Sequence, residues 1–116
     1  MLSRVEPLMK IIRLEKCKYS IRSLWNKFEI RVLLTDKITT DELLKALKKA
    51  LDALEFKYWI ITSPEEPRIC FSIVAFSCKM YIELTACVPK MLIRIIARPD
   101  IIEETPSIIK EILSSI

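Results

Sequence analysis

The stretch RICFSIVAFSCKMYIELTACVPKMLIRIIAR, residues 68–98, contains three runs that are rich in β-branched and aromatic residues. The runs are Arg68–Ser77, Met80–Val88 and Met91–Arg98. Only short breaks separate them, and closely spaced strands of this kind normally pair as antiparallel hairpins. The stretch therefore predicts three neighbouring strands of an antiparallel sheet.

Strand signals continue toward the N-terminus. The segments Lys16–Arg22 and Phe28–Leu34 alternate apolar and other residues at period two, which is typical of a strand with one buried face. Tyr58–Ser63 is again rich in aromatic and β-branched residues. Together with the three central runs, these segments predict six strands.

Two helices are expected. Thr39 and Glu42 form a capping box ahead of a helix over Thr40–Glu55, in which leucines recur at helical spacing. Thr105 followed by Pro106 is typical of the N-cap and the first residue of a second helix. The order β-β-α-β-β-β-β-α over residues 1–116 predicts a single α+β domain, a two-layer sandwich of a mainly antiparallel sheet with both helices on one face. Residues 1–9 show no pattern and are predicted to be a flexible leader.

Some strands are apolar at both parities, which indicates that both of their faces are covered. In the central stretch, Phe71 and Ile73 alternate with further apolar residues, and Ile93 and Ile95 do the same. Exposed apolar patches usually mark interfaces, so we expect a homodimer or protein partner at the sheet face, with these four residues as candidate contacts. The alternative is that the N-terminal segment crosses that face.

The chain has no glycine and no histidine, which excludes many enzyme classes. Phosphate-binding loops and dinucleotide turns need glycine, and the common acid–base and metal chemistry near neutral pH needs imidazole. No constellation of carboxylates, lysines or cysteines replaces them. The sequence therefore predicts no catalytic activity, no cofactor and no metal site.

The four cysteines, Cys17, Cys70, Cys78 and Cys87, show no C-x-x-C spacing. We interpret them as free, buried thiols, since free cysteine is among the most buried residue types. Scarce amides with abundant Lys and Glu are typical of hyperthermophiles, so we expect an archaeal or archaeal-viral source. Disulfides persist in the cytosol of such organisms, which leaves one bridge among Cys70, Cys78 and Cys87 as the alternative.

Positive charge is concentrated near the N-terminus. Residues 1–31 hold eight Lys/Arg against three Glu, whereas the whole chain has a net charge of +4. The candidate nucleic-acid contacts are Lys16, Lys18, Arg22, Lys27 and Arg31. Tyr19 and Trp25 lie among them and could stack on bases.

The sequence predicts a cytoplasmic protein, because it shows neither a signal peptide nor an apolar run long enough to span a membrane. We expect it to act by binding or assembly, through homodimerisation or a protein partner at the sheet face. The alternative is a nucleic-acid-binding accessory protein that uses the basic N-terminal third.

Overall fold

A computed structural model describes residues 10–25, 27–62 and 70–116 of the chain. Within these ranges, seven strands form one antiparallel sheet in the order β1-β2-β3-β7-β6-β5-β4. The strands are β1 (Lys10–Arg13), β2 (Cys17–Leu24), β3 (Lys27–Leu34), β4 (Lys57–Thr62), β5 (Cys70–Phe76), β6 (Met80–Cys87) and β7 (Lys90–Ala97). With two α-helices, this sheet confirms the α+β class.

The helices are α1 (Thr40–Ala53), which joins β3 to β4, and α2 (Thr105–Ser114), which a 3₁₀ segment (Pro99–Glu104) precedes. The predicted cap at Thr105 is wrong, because Thr105 is the first residue of α2 and is buried, and its hydroxyl donates to the carbonyl of Ile101 at 3.4 Å. Strand β1 was not among the six predicted strands. The expected leader, residues 1–9, lies outside the described residues.

Helix α1 begins at the predicted capping box. The Thr39 hydroxyl accepts from the Glu42 amide at 3.1 Å, and the Glu42 carboxylate accepts from the Thr39 amide at 3.0 Å. The helix ends before its predicted boundary because Glu55 adopts a left-handed conformation with φ 63°. The amides of Glu55 and Phe56 then bond back to the carbonyls of Asp52 and Leu51, an arrangement that usually places glycine where Glu55 stands.

Alternate strand residues separate the sheet into two faces. On one face most strand side chains are buried or partly buried, and they share one hydrophobic cluster with the apolar residues of both helices, for example Leu47 of α1 and Ile109 of α2. We call this the covered face. Residues of the opposite parity form the open face, where side chains are exposed or partly exposed.

The four expected interface residues require a correction. Phe71, Ile73, Ile93 and Ile95 are all on the covered face and at most 2% exposed. They cannot contact a partner while the chain is folded, because the chain's own core already surrounds them. The alternative cover, the N-terminal segment before β1, lies outside the described residues.

Candidate functional site

The open face concentrates positive charge. Among the residues that the structure describes, eight cations lie on this face against two acidic residues, Glu29 and Glu83, as the strand register shows. The cations are Arg13, Lys18, Arg22, Lys27, Arg31, Lys57, Lys90 and Arg94. This gives the face a net charge of +6, more than the +4 of the whole chain, so that the rest of the chain carries a net −2.

Four of the five predicted nucleic-acid contacts reach this face, namely Lys18, Arg22, Lys27 and Arg31. The fifth, Lys16, lies in the bend before β2 and is exposed there. Tyr19 cannot stack on a base, because it is on the covered face and only 3% exposed.

Sequence reasoning missed the other four cations of the open face. Arg13, Lys57, Lys90 and Arg94 lie on β1, β4 and β7, and the pairing of β3 with β7 brings Lys90 and Arg94 beside the predicted group. The apolar residues at both parities of β7 hid Lys90 and Arg94, and the sequence did not indicate the position of β7 in the sheet.

A ladder of alternating charge crosses the middle of the face. Arg22 lies opposite Glu29, Glu29 opposite Arg94, and Arg94 opposite Glu83. The Glu29 carboxylate lies 3.5 Å from Arg31 Nη2 and 3.7 Å from Arg94 Nε. Exposed ion pairs of this kind contribute at most about 1 kcal/mol to the free energy of unfolding. The ladder orders the side chains but leaves the excess of positive charge in place.

An aromatic patch lies beside the charged strands. Trp59 of β4 is 61% exposed and stacks on Phe76 of β5, with ring centroids 5.4 Å apart and an interplanar angle of 19°. Tyr81 of β6 lies opposite Phe76, and Ile96 of β7 lies opposite Tyr81. The patch, defined as Trp59, Phe76 and Tyr81, therefore offers flat apolar surface next to cations such as Lys57.

The opposite end of the open face contains a shallow cavity of about 580 Å³. Lys18, Arg31 and Lys90 contribute to its lining, and none of the described residues that line it is acidic. We call it the cationic hollow. Leu92, which lines the hollow, and Ile96, beside the aromatic patch, are four residues apart on β7, or about 14 Å along the strand.

Trp25, in the connection between β2 and β3, is 96% exposed and has a φ of 56°. The left-handed region costs a non-glycine residue roughly 1–2 kcal/mol. Since the indole gains almost no burial in return, folding does not explain its presence. It is a candidate contact residue.

The cysteines offer little for nucleophilic chemistry. Cys70 and Cys87 form a disulfide between β5 and β6, and Cys78 is free and exposed, so the interpretation of four free, buried thiols is wrong for these three. Cys17 is free and buried, and burial raises the pKa of its thiol, which keeps it protonated. Within the described residues, no three His, Cys, Asp or Glu side chains are grouped so that they could hold a metal ion.

Comparison with known proteins provides no functional assignment, because no family model, curated protein or solved structure matches the chain. Of the helices that the structure describes, none has the length and apolar character needed to cross a membrane.

Proposed function

We propose that this protein binds single-stranded nucleic acid on the open face of its sheet, as a binding protein without catalytic activity. The observation that carries the proposal is the net charge of +6 on that face, where the exposed ring of Trp59 and the partly exposed rings of Phe76 and Tyr81 lie beside the cations. Proteins that bind single strands combine these two features, since cations follow the phosphates and aromatic side chains stack on bases.

The shape of the face favours a single strand over a duplex. Seven strands at a spacing of about 4.8 Å make a surface roughly 29 Å wide. The major groove of B-DNA is about 12 Å wide and cannot admit such a sheet. A single strand, whose bases are accessible, could lie across the sheet and reach both the aromatic patch and the cationic hollow.

Part of this proposal is the two-layer arrangement, in which both helices lie on one face and leave the other free for a ligand. The buried residues of α1 and α2 support it, because they share one cluster with the covered face. The positive charge of the open face disfavours a dimer in which two open faces pack against each other. Stacked sheets lie about 10 Å apart, and at that distance each pair of like unit charges repels by about 0.4 kcal/mol in water.

The test is fluorescence anisotropy of a labelled single-stranded oligonucleotide and of its duplex, with the wild type and Trp59→Ala. We expect tighter binding of the single strand. Loss of one stacking side chain costs about 1–3 kcal/mol, which corresponds to a loss of roughly 5- to 150-fold in affinity. Leu44→Ala, on helix α1, is the control for a general effect of truncating a partly buried apolar residue. Equal affinity for both oligonucleotides, with no effect of Trp59→Ala, would contradict the proposal.

A second candidate function is assembly, through homodimerisation or a protein partner. The exposure of Trp59 and Ile61, at 61% and 60%, favours it, because both lie on β4 at the end of the strand order. Light scattering coupled to size exclusion at low and high salt tests this candidate. A dimer mass that is independent of salt, in a peak without nucleic acid, would support assembly over nucleic-acid binding.

A further inference from the structure

The cationic hollow has an apolar floor surrounded by three cations. Leu33 lies between Lys18 and Lys90 in the strand register, opposite each of them on its two neighbouring strands. Arg31 lies two residues from Leu33 on β3 and is opposite Leu92. Lys18 and Lys90 are thus two strand spacings apart, or about 10 Å between their backbones.

The charge of the hollow is largely uncompensated. Arg31 shares the Glu29 carboxylate at 3.5 Å, but neither Lys18 nor Lys90 forms an ion pair with any residue that the structure describes. Two hydroxyl groups, those of Ser20 and Thr85, also line the cavity. A ligand that fits therefore combines an anionic group for the cations with an apolar part that covers the floor, and it can also bond to the two hydroxyl groups.

We infer that the cationic hollow seats one nucleotide unit, with its base on Leu33 and Leu92 and its phosphate among Lys18, Arg31 and Lys90. The inference rests on the proposed function in that the bound strand supplies this nucleotide. The cavity volume of about 580 Å³ is within the range of about 300–1,000 Å³ that is usual for small-molecule sites. Ser20 and Thr85 provide hydroxyl groups that can bond to the base or the sugar.

The apolar floor distinguishes a nucleotide from a simple anion. Inorganic phosphate would use the three cations alone, whereas a nucleotide gains additional free energy by covering Leu33 and Leu92. Removal of the cations must weaken both ligands, but a polar residue in the floor must weaken only the nucleotide.

The experiment titrates the full chain with a nucleoside monophosphate, with inorganic phosphate and with a single-stranded oligonucleotide, by calorimetry. The variant K18Q/K90Q removes two cations from the hollow, and K27Q/K57Q removes two from the same face outside it. We expect K18Q/K90Q to weaken monophosphate binding at least about tenfold, because charge-assisted hydrogen bonds are lost. The matched variant K27Q/K57Q should keep its affinity for the monophosphate within about twofold of the wild type, although it should weaken the oligonucleotide, which reaches both lysines.

Leu92→Ser examines the floor and should weaken the monophosphate but leave inorganic phosphate unchanged. Melting temperatures of all variants verify that each one is folded.

Absence of monophosphate binding, or equal effects of the two lysine pairs, would overturn the inference even if the oligonucleotide still binds. If the protein binds the monophosphate but not the oligonucleotide, the proposed function is overturned, whereas the nucleotide site is supported. Equal affinity for phosphate and monophosphate, with no effect of Leu92→Ser, would show that the hollow binds only the anion, and it would also overturn the inference.

Discussion

The two faces of the sheet are built from the same strands but have opposite chemistry. Ile95 and Ile96 are neighbours on β7, yet Ile95 is fully buried on the covered face and Ile96 is 38% exposed on the open face. Between Lys90 and Ala97, the residues of the open parity include two of the eight cations. The covered face therefore provides the core that stabilises the fold, whereas the described side chains of the open face stay exposed or partly exposed.

The difference in stability follows from burial. A fully buried aliphatic side chain contributes roughly 1.5–3 kcal/mol to the free energy of unfolding. A charge in contact with water contributes little to it and repels neighbouring charges of the same sign. Selection for stability alone gives no reason to collect eight cations on one face. Substitutions on the covered face should therefore alter stability, and substitutions of the cations on the open face should alter binding.

The largest expected effect is on the core. Ile95→Ala should lower the free energy of unfolding by about 2–5 kcal/mol, because it removes buried methyl groups and leaves a cavity. Ile96→Ala, the matched change one residue away, should cost less than about 1 kcal/mol. Chemical denaturation measures both values. Equal costs would show that the two faces do not differ in burial as described.

The disulfide is the exception on the open face, since it stabilises the fold from that side. Replacing Cys70 and Cys87 by serine should lower the free energy of unfolding by about 3 kcal/mol, through loss of the cross-link between residues 17 positions apart. Cys78→Ser is the control, because Cys78 is free and exposed. If thermal melts of the two variants coincide, the bridge contributes no stability.

A smaller effect is expected where α1 ends. Glu55→Gly should raise the free energy of unfolding by about 1 kcal/mol, since glycine adopts the left-handed conformation at φ 63° without steric cost. Ala53→Gly, within the last turn of α1, should lower it by about 1 kcal/mol. Denaturation midpoints measure both. Neither variant should change oligonucleotide binding, because both residues lie off the open face.

The smallest effect is the pH dependence of the α1 cap. The hydrogen bond from the Thr39 amide lowers the pKa of the Glu42 carboxyl below its usual range, and a hydrogen bond with the Thr39 hydroxyl adds a smaller effect in the same direction. This stabilisation is fully present above the unfolded pKa of about 4.3 and is lost as the pH falls through the lower folded pKa. The melting temperature of wild type should exceed that of Glu42→Gln near neutral pH, and the two should converge in acid. A difference in melting temperature that stays constant across this pH range would show that the Glu42 carboxylate does not stabilise the helix cap.

Local signals in the sequence predicted much of the fold. The capping box at Thr39 and Glu42 determined where α1 begins, and period-two alternation identified β3. Strand β1 was missed because Ile11 and Ile12 are adjacent and show no alternation. The end of α1 was placed too late because Glu55 gives no signal of a left-handed residue, whereas glycine would have given one.

The candidate site was only half predictable. The cations near the N-terminus were visible as a cluster in the sequence, but Lys90 and Arg94 join them only through the pairing of β3 with β7. The strands with apolar residues at both parities gave no indication of which parity would face the helices. For this reason the expected interface at Ile93 and Ile95 was assigned to the buried parity.

The salt dependence of oligonucleotide affinity tests most directly whether the protein binds nucleic acid on the open face. The variant R22A/K27A/R31A removes three cations from the open face, and K45A/K48A/K49A removes three from the exposed side of α1. Each lost phosphate contact lowers the slope of log affinity against log salt by about 0.7 for a single strand. We predict a slope shallower by about 2 for the open-face variant and an unchanged slope for the α1 variant. Equal slopes for the two variants would contradict the account.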